Sequence, residues 1–463
     1  MQLKFYPAPN CYLMRIVLEQ LERAREAVLW IALLGCVVGC GGKGDAGTAA
    51  AGGSGSAAGA SGASEKGGSP NTGGSPIGAT GGMANEPPPD GLAAHLSLGT
   101  STTCAVLIEG SVRCWGLRIS KGLGPGDVTS GPQPEPVASL VDIAGVSLGG
   151  SNACARSSAG GIQCWGLGLC GALGDGNLYV DEANLPTNPG GSDTPVSVLS
   201  ISSAAQVVTG FNHSCALLEG GTVACWGNGL VGQLGDGKVY SSACGSATPV
   251  PVMGLSDVQQ LALGAGFACA LLKNGSVRCW GGAAVGSLGN GVACDERGTT
   301  CAGYEQPTPV AVSGLSGVTQ IATGTSHACA LLADGTVQCW GDASGLQLGL
   351  NAAGAAHVST PIPMSGVSGV VKLAAGDRHT CVLRADGSVL CWGEPKALGD
   401  FASISKVAFP GGPVAELAAG GNHTCVLLKN GAVQCWGSND SGELGVAGVA
   451  SSPTPLTVMG LAK

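Results

Sequence analysis

Short apolar segments alternate with polar, glycine-containing turns from about residue 93 to residue 463. One such unit reads Cys329-Ala-Leu-Leu, then Ala333-Asp334-Gly335, then Thr-Val-Gln-Cys339. Apolar runs of this length, bounded by Asp-Gly turns, predict β-strands joined as hairpins. The 82 glycines of the chain also suit tight turns and disfavour long amphipathic helices. We therefore predict an all-β fold for this region.

The predicted hairpin brings two cysteines face to face. A three-residue loop with glycine in third place suits a type I turn followed by a left-handed glycine. Counting outward from this loop pairs Leu331 with Val337, and Cys329 with Cys339. The Cα separation expected for such a pair, about 4.5–5.5 Å, suits a disulfide. Structural zinc sites need four converging ligands at spacings of about two to four residues, so zinc is the weaker interpretation.

The unit occurs seven times. Each copy has a Cys-Trp-Gly string with a second cysteine ten residues earlier, a glycine five residues before that cysteine, and a later Leu-Gly pair. A period of about 53 residues is typical of a solenoid or a propeller. We expect each tryptophan to pack between neighbouring units. The predicted disulfides are Cys104–Cys114, Cys154–Cys164, Cys215–Cys225, Cys269–Cys279, Cys329–Cys339, Cys381–Cys391 and Cys425–Cys435.

These units resemble the regulator of chromosome condensation repeat. The copy with His213-Ser214, Trp226-Gly227 and Gly232-Gln233-Leu234-Gly235 shows the resemblance best. The resemblance covers residues 93–463 and implies a seven-bladed β-propeller with four-stranded blades. The first unit lacks the Pro-x-x-Val segment that precedes the others, and the chain ends with a spare one at Pro455-Leu456-Thr457-Val458. We therefore predict that the C-terminal strand completes the first blade and closes the ring.

The amino terminus is predicted to be a lipoprotein signal peptide over residues 1–39. Basic residues precede an apolar run from Ala27 to Gly39, which has the length of a secretory h-region. Cys40 would then carry the lipid. Cys36 and a plain cleaved signal peptide are the alternatives, but cleavage before Cys36 would leave Cys40 as a free thiol. The Gly/Ala/Ser/Pro-rich residues 40–92 are predicted to form a disordered linker. We expect a bacterial cell-envelope, outer-membrane or surface lipoprotein, or an extracellular protein, that touches the membrane only through this anchor.

Four cysteines lie outside both the repeat and the leader. Cys294 and Cys301 flank a short loop and are predicted to pair with each other. Cys170 and Cys244, on adjacent units, would then form the remaining disulfide. The even total supports an oxidising compartment.

Charge and motifs argue against several functions. The formal net charge of −9 would repel a phosphate backbone, which excludes nucleic acid as a partner. Two G-x-G-x-x-G matches, at 166–171 and 227–232, lie in repeat turns, so no cofactor is predicted. Four histidines share one repeat position, where we expect them to satisfy local backbone groups. They are His213, His327, His379 and His423. No Ser-His-Asp set stands apart from the repeat, so we predict a non-enzymatic protein without a resident metal.

The irregular connections are the predicted functional region. Longer segments follow the Leu-Gly pair at residues 175–193, 236–246, 290–306 and 351–359, and Tyr179, Tyr240 and Tyr304 lie in three of them. Tyrosine is a favoured interface anchor, so the sequence predicts a monomeric protein-binding scaffold, its ligand an unknown protein or surface polymer. Alternatives are a structural or protective envelope protein and, third, an extracellular hydrolase or lyase. The acidic residues that would allow calcium at these loops are Asp181, Glu182, Asp295, Glu296 and Glu305.

Overall fold

A computed structural model describes the repeat region and leaves out the amino terminus. The described residues are 91–117, 130–179, 190–241, 244–292, 303–349, 354–394, 405–407, 409 and 411–461. The predicted signal peptide, nearly all of the linker, the lipid-attachment residue Cys40 and the Cys294–Cys301 pair lie outside these residues. Among the described residues, no helix is long and apolar enough to cross a membrane.

Within the described ranges, twenty-eight strands form seven antiparallel sheets of four strands, each in sequence order. The first strands surround a central channel. They are β1 Ala93–Leu98, β5 Ile143–Leu148, β9 Ala204–Thr209, β13 Val258–Leu263, β17 Val318–Thr323, β21 Val370–Ala375 and β25 Val414–Ala419. The second strands carry the first cysteine of each pair. They are β2 Thr102–Leu107, β6 Asn152–Ser157, β10 His213–Leu218, β14 Phe267–Leu272, β18 His327–Leu332, β22 His379–Arg384 and β26 His423–Leu428.

The third strands carry the Cys-Trp-Gly string. They are β3 Val112–Leu117, β7 Ile162–Leu167, β11 Val223–Asn228, β15 Val277–Gly282, β19 Val337–Asp342, β23 Val389–Gly393 and β27 Val433–Ser438. The fourth strands are outermost. They are β4 Ser130–Pro136, β8 Gly191–Ser197, β12 Gly245–Pro251, β16 Glu305–Ala311, β20 His357–Pro363, β24 Ser405–Val407 and β28 Ser451–Thr457. The predicted seven-bladed propeller is confirmed.

The hairpin register agrees with the sequence prediction. Leu331 lies opposite Val337 and Cys329 opposite Cys339, with Gly335 in the left-handed region at φ 78°. All seven repeat cysteine pairs form disulfides, with Cα separations of 4.0–4.1 Å. The cross-strand geometry thus places a disulfide in the second hairpin of every blade, as predicted.

The tryptophans join the blades. Trp226 is fully buried and packs with Cys154, Ile162 and Leu173 of the preceding blade. Its indole N–H donates to the carbonyl of Ala172, 3.1 Å away. Trp115 of the first blade makes the equivalent bond to the carbonyl of Glu443 in the seventh. The predicted packing between neighbouring units is therefore confirmed, and it continues across the point where the ring closes.

The predicted mode of ring closure is wrong. The C-terminal strand β28 pairs with β27 and completes the seventh blade, whereas β4 completes the first. The Pro-x-x-Val segment is the fourth strand of its own unit, not the first strand of the next, so no strand is left over. The ring closes by side-chain and backbone contacts instead. The Leu96 N–H donates to Glu416, and the Gly421 N–H donates to the carbonyl of Gly99.

Candidate functional site

A ring of glycines narrows one end of the channel. The glycine five residues before each first cysteine ends the first strand of its blade, and these glycines line the same opening. A Cβ at Gly376 would overlap the carbonyl oxygen of Gly420 in the next blade, and a Cβ at Gly420 would be 2.5 Å from that of Gly99. Glycine is required here because the backbones of neighbouring blades meet at van der Waals distance. We call this end the glycine face and the opposite end, which carries turns such as Asp334-Gly335, the hairpin face.

Backbone hydrogen bonds reinforce the glycine face. The Thr325 N–H donates to the carbonyl of Asp377 at 3.3 Å, and the Asp377 N–H donates to that of Gly420 at 3.0 Å. Burial raises the pKa of the Asp377 carboxyl, and a hydrogen bond from the Thr325 side chain partly opposes this. The main chain of the glycine ring therefore constricts the channel at this end, where Phe211 also lines the opening.

The irregular connections leave the third strands at the glycine face. In blade two, a short 3₁₀ turn at Leu169–Gly171 starts this connection, and Leu173 then packs against Trp226 of blade three. Cys170 forms a disulfide with Cys244, which joins the connections of these two blades. The two G-x-G-x-x-G matches begin at the ends of β7 and β11, and no α-helix follows either one in the described residues. They are repeat turns.

Tyr179 and Tyr240 are held inside their own connections. Each ring covers a glycine at the end of the third strand, Gly168 for Tyr179 and Gly229 for Tyr240. Tyr179 donates to Asp175 at 2.7 Å and Tyr240 donates to Asp236 at 2.8 Å. Burial, with the adjacent aspartate, raises the pKa of both hydroxyls to about 12. The shared Asp-Gly-x-x-Tyr spacing was the available sequence signal for these pairs.

Tyr304 has a different setting. It is partly buried against the core shared by blades four and five, and its carbonyl accepts from the Ala283 N–H at 2.7 Å. The three tyrosines therefore lie in three successive connections, as the sequence places them, but each contributes to local packing. Their role as binding anchors stays a prediction.

The acidic loop residues lie mostly outside the described part of the chain. Asp181, Glu182, Asp295 and Glu296 are in undescribed segments, and Glu305 is an exposed residue that begins β16. Within the described residues, no group of three or more His, Cys, Asp or Glu side chains is arranged to hold a metal ion.

Three of the four repeat histidines bond to the next blade rather than to local backbone, and His213 has no hydrogen-bond partner in the described structure. His327 Nε2 lies 3.0 Å from Thr380 Oγ1, His379 Nε2 lies 2.8 Å from Thr424 Oγ1, and the ring closes with His423 Nε2 2.8 Å from Thr103 Oγ1. Burial lowers the histidine pKa to about 4 for His327 and about 3 for His379 and His423, so these side chains are neutral at pH 7. A neutral, bonded histidine is a structural group.

The channel wall has a second set of inter-blade bonds that the sequence did not reveal. Gln206, Gln260 and Gln320 each accept from one backbone N–H of the next first strand and donate to the carbonyl of the same residue. In blades one and two, a serine two residues after the position equivalent to Gln206 accepts a hydrogen bond from a backbone N–H of the next first strand. Ser97 accepts from the Leu148 N–H at 3.0 Å. These side chains satisfy strand edges that would otherwise face the channel unpaired.

Comparison with known proteins agrees with this architecture. The regulator of chromosome condensation (RCC1) repeat model matches residues 204–233, 258–286, 318–344, 370–396 and 414–443, and a related RCC1 model matches residues 220–271. The chain therefore contains RCC1 repeats. The residues matched include five of the seven Cys-Trp-Gly strings in full, so the cysteine disulfides are built into RCC1-type blades.

Curated relatives cover only part of the RCC1-repeat chain. The human probable E3 ubiquitin-protein ligase HERC6 is 33% identical over 210 residues, which are 44% of this chain and 19% of the ligase. The ultraviolet-B receptor UVR8 of Arabidopsis thaliana is 32% identical over 190 residues, 40% of each protein. The matches thus span less than half the length of these relatives.

Solved structures show the same fold at low identity. Yeast RCC1 (Prp20), solved with Kap60 bound, superposes with a TM-score of 0.62 and 21% identity over 79% of this chain and 85% of that chain. Human WBSCR16 gives a TM-score of 0.61 with 23% identity, over 76% of this chain and 94% of that chain. These likenesses support the RCC1 propeller architecture.

Proposed function

We propose that this chain is a non-enzymatic protein-binding scaffold, tethered at a bacterial cell envelope, that holds its partner on the glycine face. The observation that carries the proposal is a contrast within each unit. The hairpins keep one length and one register in all seven blades, whereas the connections at the glycine face differ in length. Variable loops on a rigid framework are a common arrangement for recognition.

The connections are held rigidly enough to bind without a large entropy cost. The Asp–Tyr hydrogen bonds fix the connections of blades two and three, and the Cys170–Cys244 disulfide joins them. Between these fixed elements the face exposes apolar surface, with Phe211 47% exposed and Val239 39% exposed. A preorganised surface with exposed aromatic and aliphatic side chains is suited to a protein partner.

Related propellers provide supporting examples. The yeast neighbour has been solved with Kap60 bound, and a second structure of it is described together with its binding to Gsp1p and histones. A propeller of this shape can therefore carry protein partners. The sequence departures of this chain, its disulfides and its acidic charge, lead us to expect a different partner from these.

The tether is proposed from the leader sequence. Acyl chains on Cys40 would hold the protein at a membrane surface, and residues 41–92 would give the propeller reach. Replacing Cys40 with serine should abolish labelling by a fatty-acid analogue, whereas replacing Cys36 should leave it intact. Labelling that survives Cys40→Ser would reject this anchor.

Site-specific photo-crosslinking tests the binding face. A crosslinking residue placed at Phe211 or Val239 should capture one envelope protein, and the same residue at Met253 or Met459, exposed at the ends of fourth strands towards the hairpin face, should not. Replacing Tyr179, Tyr240 and Tyr304 together by alanine should abolish capture, because the connections would lose their support. Capture only from Met253 or Met459 would place the partner on the hairpin face and would reject the proposed binding face.

A protective envelope protein is the second candidate. Eight disulfides in the described residues make the fold resistant to unfolding and proteolysis, which such a role requires. Absence of specific crosslinks from both faces, with normal anchoring, would favour it.

A further inference from the structure

Blade two departs from the other six at one buried position. Two residues after the first cysteine, the other blades carry a buried valine or leucine. These residues are Val106, Leu217, Leu271, Leu331, Leu383 and Leu427. Blade two carries Arg156, which is only partly buried. An arginine in place of a core leucine costs packing energy, so its retention needs a reason.

The neighbouring strand accommodates this arginine. Arg156 lies directly opposite Gly145 on β5. Gly145 occupies the position at which Gln206, Gln260 and Gln320 bond to the next blade, and a Cβ at Gly145 would meet nothing within 4 Å. The missing side chain therefore leaves open space on the channel side of β5, and Arg156 lines the channel there.

The space has the size of a small-molecule pocket. The channel widens towards the hairpin face into a chamber of about 460 Å³, whose wall includes Arg156, Ser97, Ser147 and Gln206. Small-molecule sites commonly measure about 300–1,000 Å³ and combine an apolar lining with a few polar groups. The rest of this wall is mainly alanine, valine and leucine.

The guanidinium of Arg156 has unused donors. It makes one hydrogen bond, from Nη1 to the carbonyl of Ser157 at 3.1 Å, and no described carboxylate lies within 4.0 Å of it. The other ionisable residue of the chamber wall, His95, contacts Glu416 at 2.6 Å. Although the chain has a net charge of −9, a guanidinium without a carboxylate partner among the described residues lines the channel chamber. Guanidinium donors of this kind bind carboxylate or phosphate oxygens in pairs.

We propose that the channel chamber is a binding site for a small organic anion, whose carboxylate or phosphate group is held by Arg156. Gly145 provides the space, and the remaining wall, which exposes both backbone and small side chains, surrounds the body of the ligand. The glycine ring narrows the far end, so the wider entrance is at the hairpin face. This site is separate from the proposed protein-binding face, and either proposal can fail alone.

Calorimetric titration of the propeller chain tests the site, with succinate and inorganic phosphate as probes. We expect saturable binding of at least one probe, and at least a tenfold loss of affinity in Arg156→Leu, which installs the residue of five other blades. Gly145→Gln should weaken binding similarly by filling the chamber. Arg278→Gln, which removes the same charge from a third strand outside the chamber wall, should leave affinity unchanged.

Thermal melting of each variant separates loss of binding from loss of folding. Arg156→Leu should melt at or above the temperature of the parent protein, because it restores the packing of the other blades. Absence of binding by both probes to the parent protein, or equal affinity in folded Arg156→Leu, would overturn the proposal.

Discussion

The interface between blades seven and one and the interface between blades three and four use the same two sequence positions, but only the first forms a hydrogen bond there. Between blades seven and one, His423 bonds to Thr103, and both side chains are fully buried. Between blades three and four, His213 occupies the histidine position, but the residue equivalent to Thr103 is Ala268. Neither ring nitrogen of His213 has a hydrogen-bond partner in the described structure. Between blades four and five, Phe267 and Ala328 fill the two positions, so both are apolar there. Whether the two side chains at this position match in polarity therefore differs from one pair of neighbouring blades to the next.

Lowering the pH should decrease the free energy of unfolding, because the four buried histidines resist protonation in the folded protein. Burial lowers the pKa of His213 to about 4, as for His327, and the values for His379 and His423 are about 3. The unfolded chain protonates these rings near pH 6.5, so the stability is present above that pH and is lost as pH falls towards 4. We expect the free energy of unfolding to drop by roughly 2 kcal/mol per histidine between pH 7 and 5. Denaturant titrations at the two pH values measure it.

His213→Phe isolates the contribution of the unmatched interface. It recreates the Phe267–Ala328 combination between blades three and four and should remove about a quarter of the histidine-dependent loss, one site of four. An unchanged pH dependence in this variant would show that His213 is not neutral and buried as described.

Removing the disulfide between blades two and three should cause the next largest decrease in the free energy of unfolding. The Cys170–Cys244 disulfide spans a sequence separation of 74, whereas each repeat disulfide spans 10. In the chain-entropy model the longer loop contributes about 4.5 kcal/mol and the shorter about 3 kcal/mol. Double serine substitution of Cys170 and Cys244 should therefore lower the unfolding free energy more than that of Cys425 and Cys435. The reverse order would contradict this account.

A single methyl group in the glycine ring should disrupt a close approach that recurs at six of the seven interfaces. A Cβ at Gly376 would overlap the Gly420 carbonyl and the ring of His379, and backbone cannot easily move there. We expect Gly376→Ala to cost about 3 kcal/mol. Gly145→Ala is the matched control, because it lies on an equivalent first strand with open space around the Cβ. Equal melting temperatures for the two variants would refute the close approach.

Supplying the missing hydroxyl should repair the unmatched interface by a smaller amount. Ala268→Ser places a hydroxyl where Thr380 and Thr424 bond their histidines, and one buried hydrogen bond contributes about 1 kcal/mol. Ala328→Ser is the control. It faces Phe267, so the same change buries an unpaired hydroxyl and should destabilise. A melting temperature that falls in both variants would argue against pairwise matching.

Much of the fold could be predicted because the residues that set the structure of each unit lie close together in the sequence and recur in every unit. The turn at Asp334-Gly335 sets the register that brings Cys329 to Cys339, and that logic is local. Less of the candidate binding site could be predicted from the sequence. The tyrosines could be placed in their connections, but their bonds to Asp175 and Asp236 depend on how the loop folds back on its strand.

The sequence alone determined the repeat, the hairpin register, the paired cysteines and the number of blades, because these depend on residues about ten positions apart. Tertiary structure decided what happens between blades: which strand completes the last blade, which hydroxyl each histidine meets, and where Arg156 finds open space. The histidine–threonine bonds between blades join residues 45 or more positions apart, Gln320 and Leu373 lie 53 apart, and the closing pair His423 and Thr103 lie 320 apart. Only the closed ring brings them together.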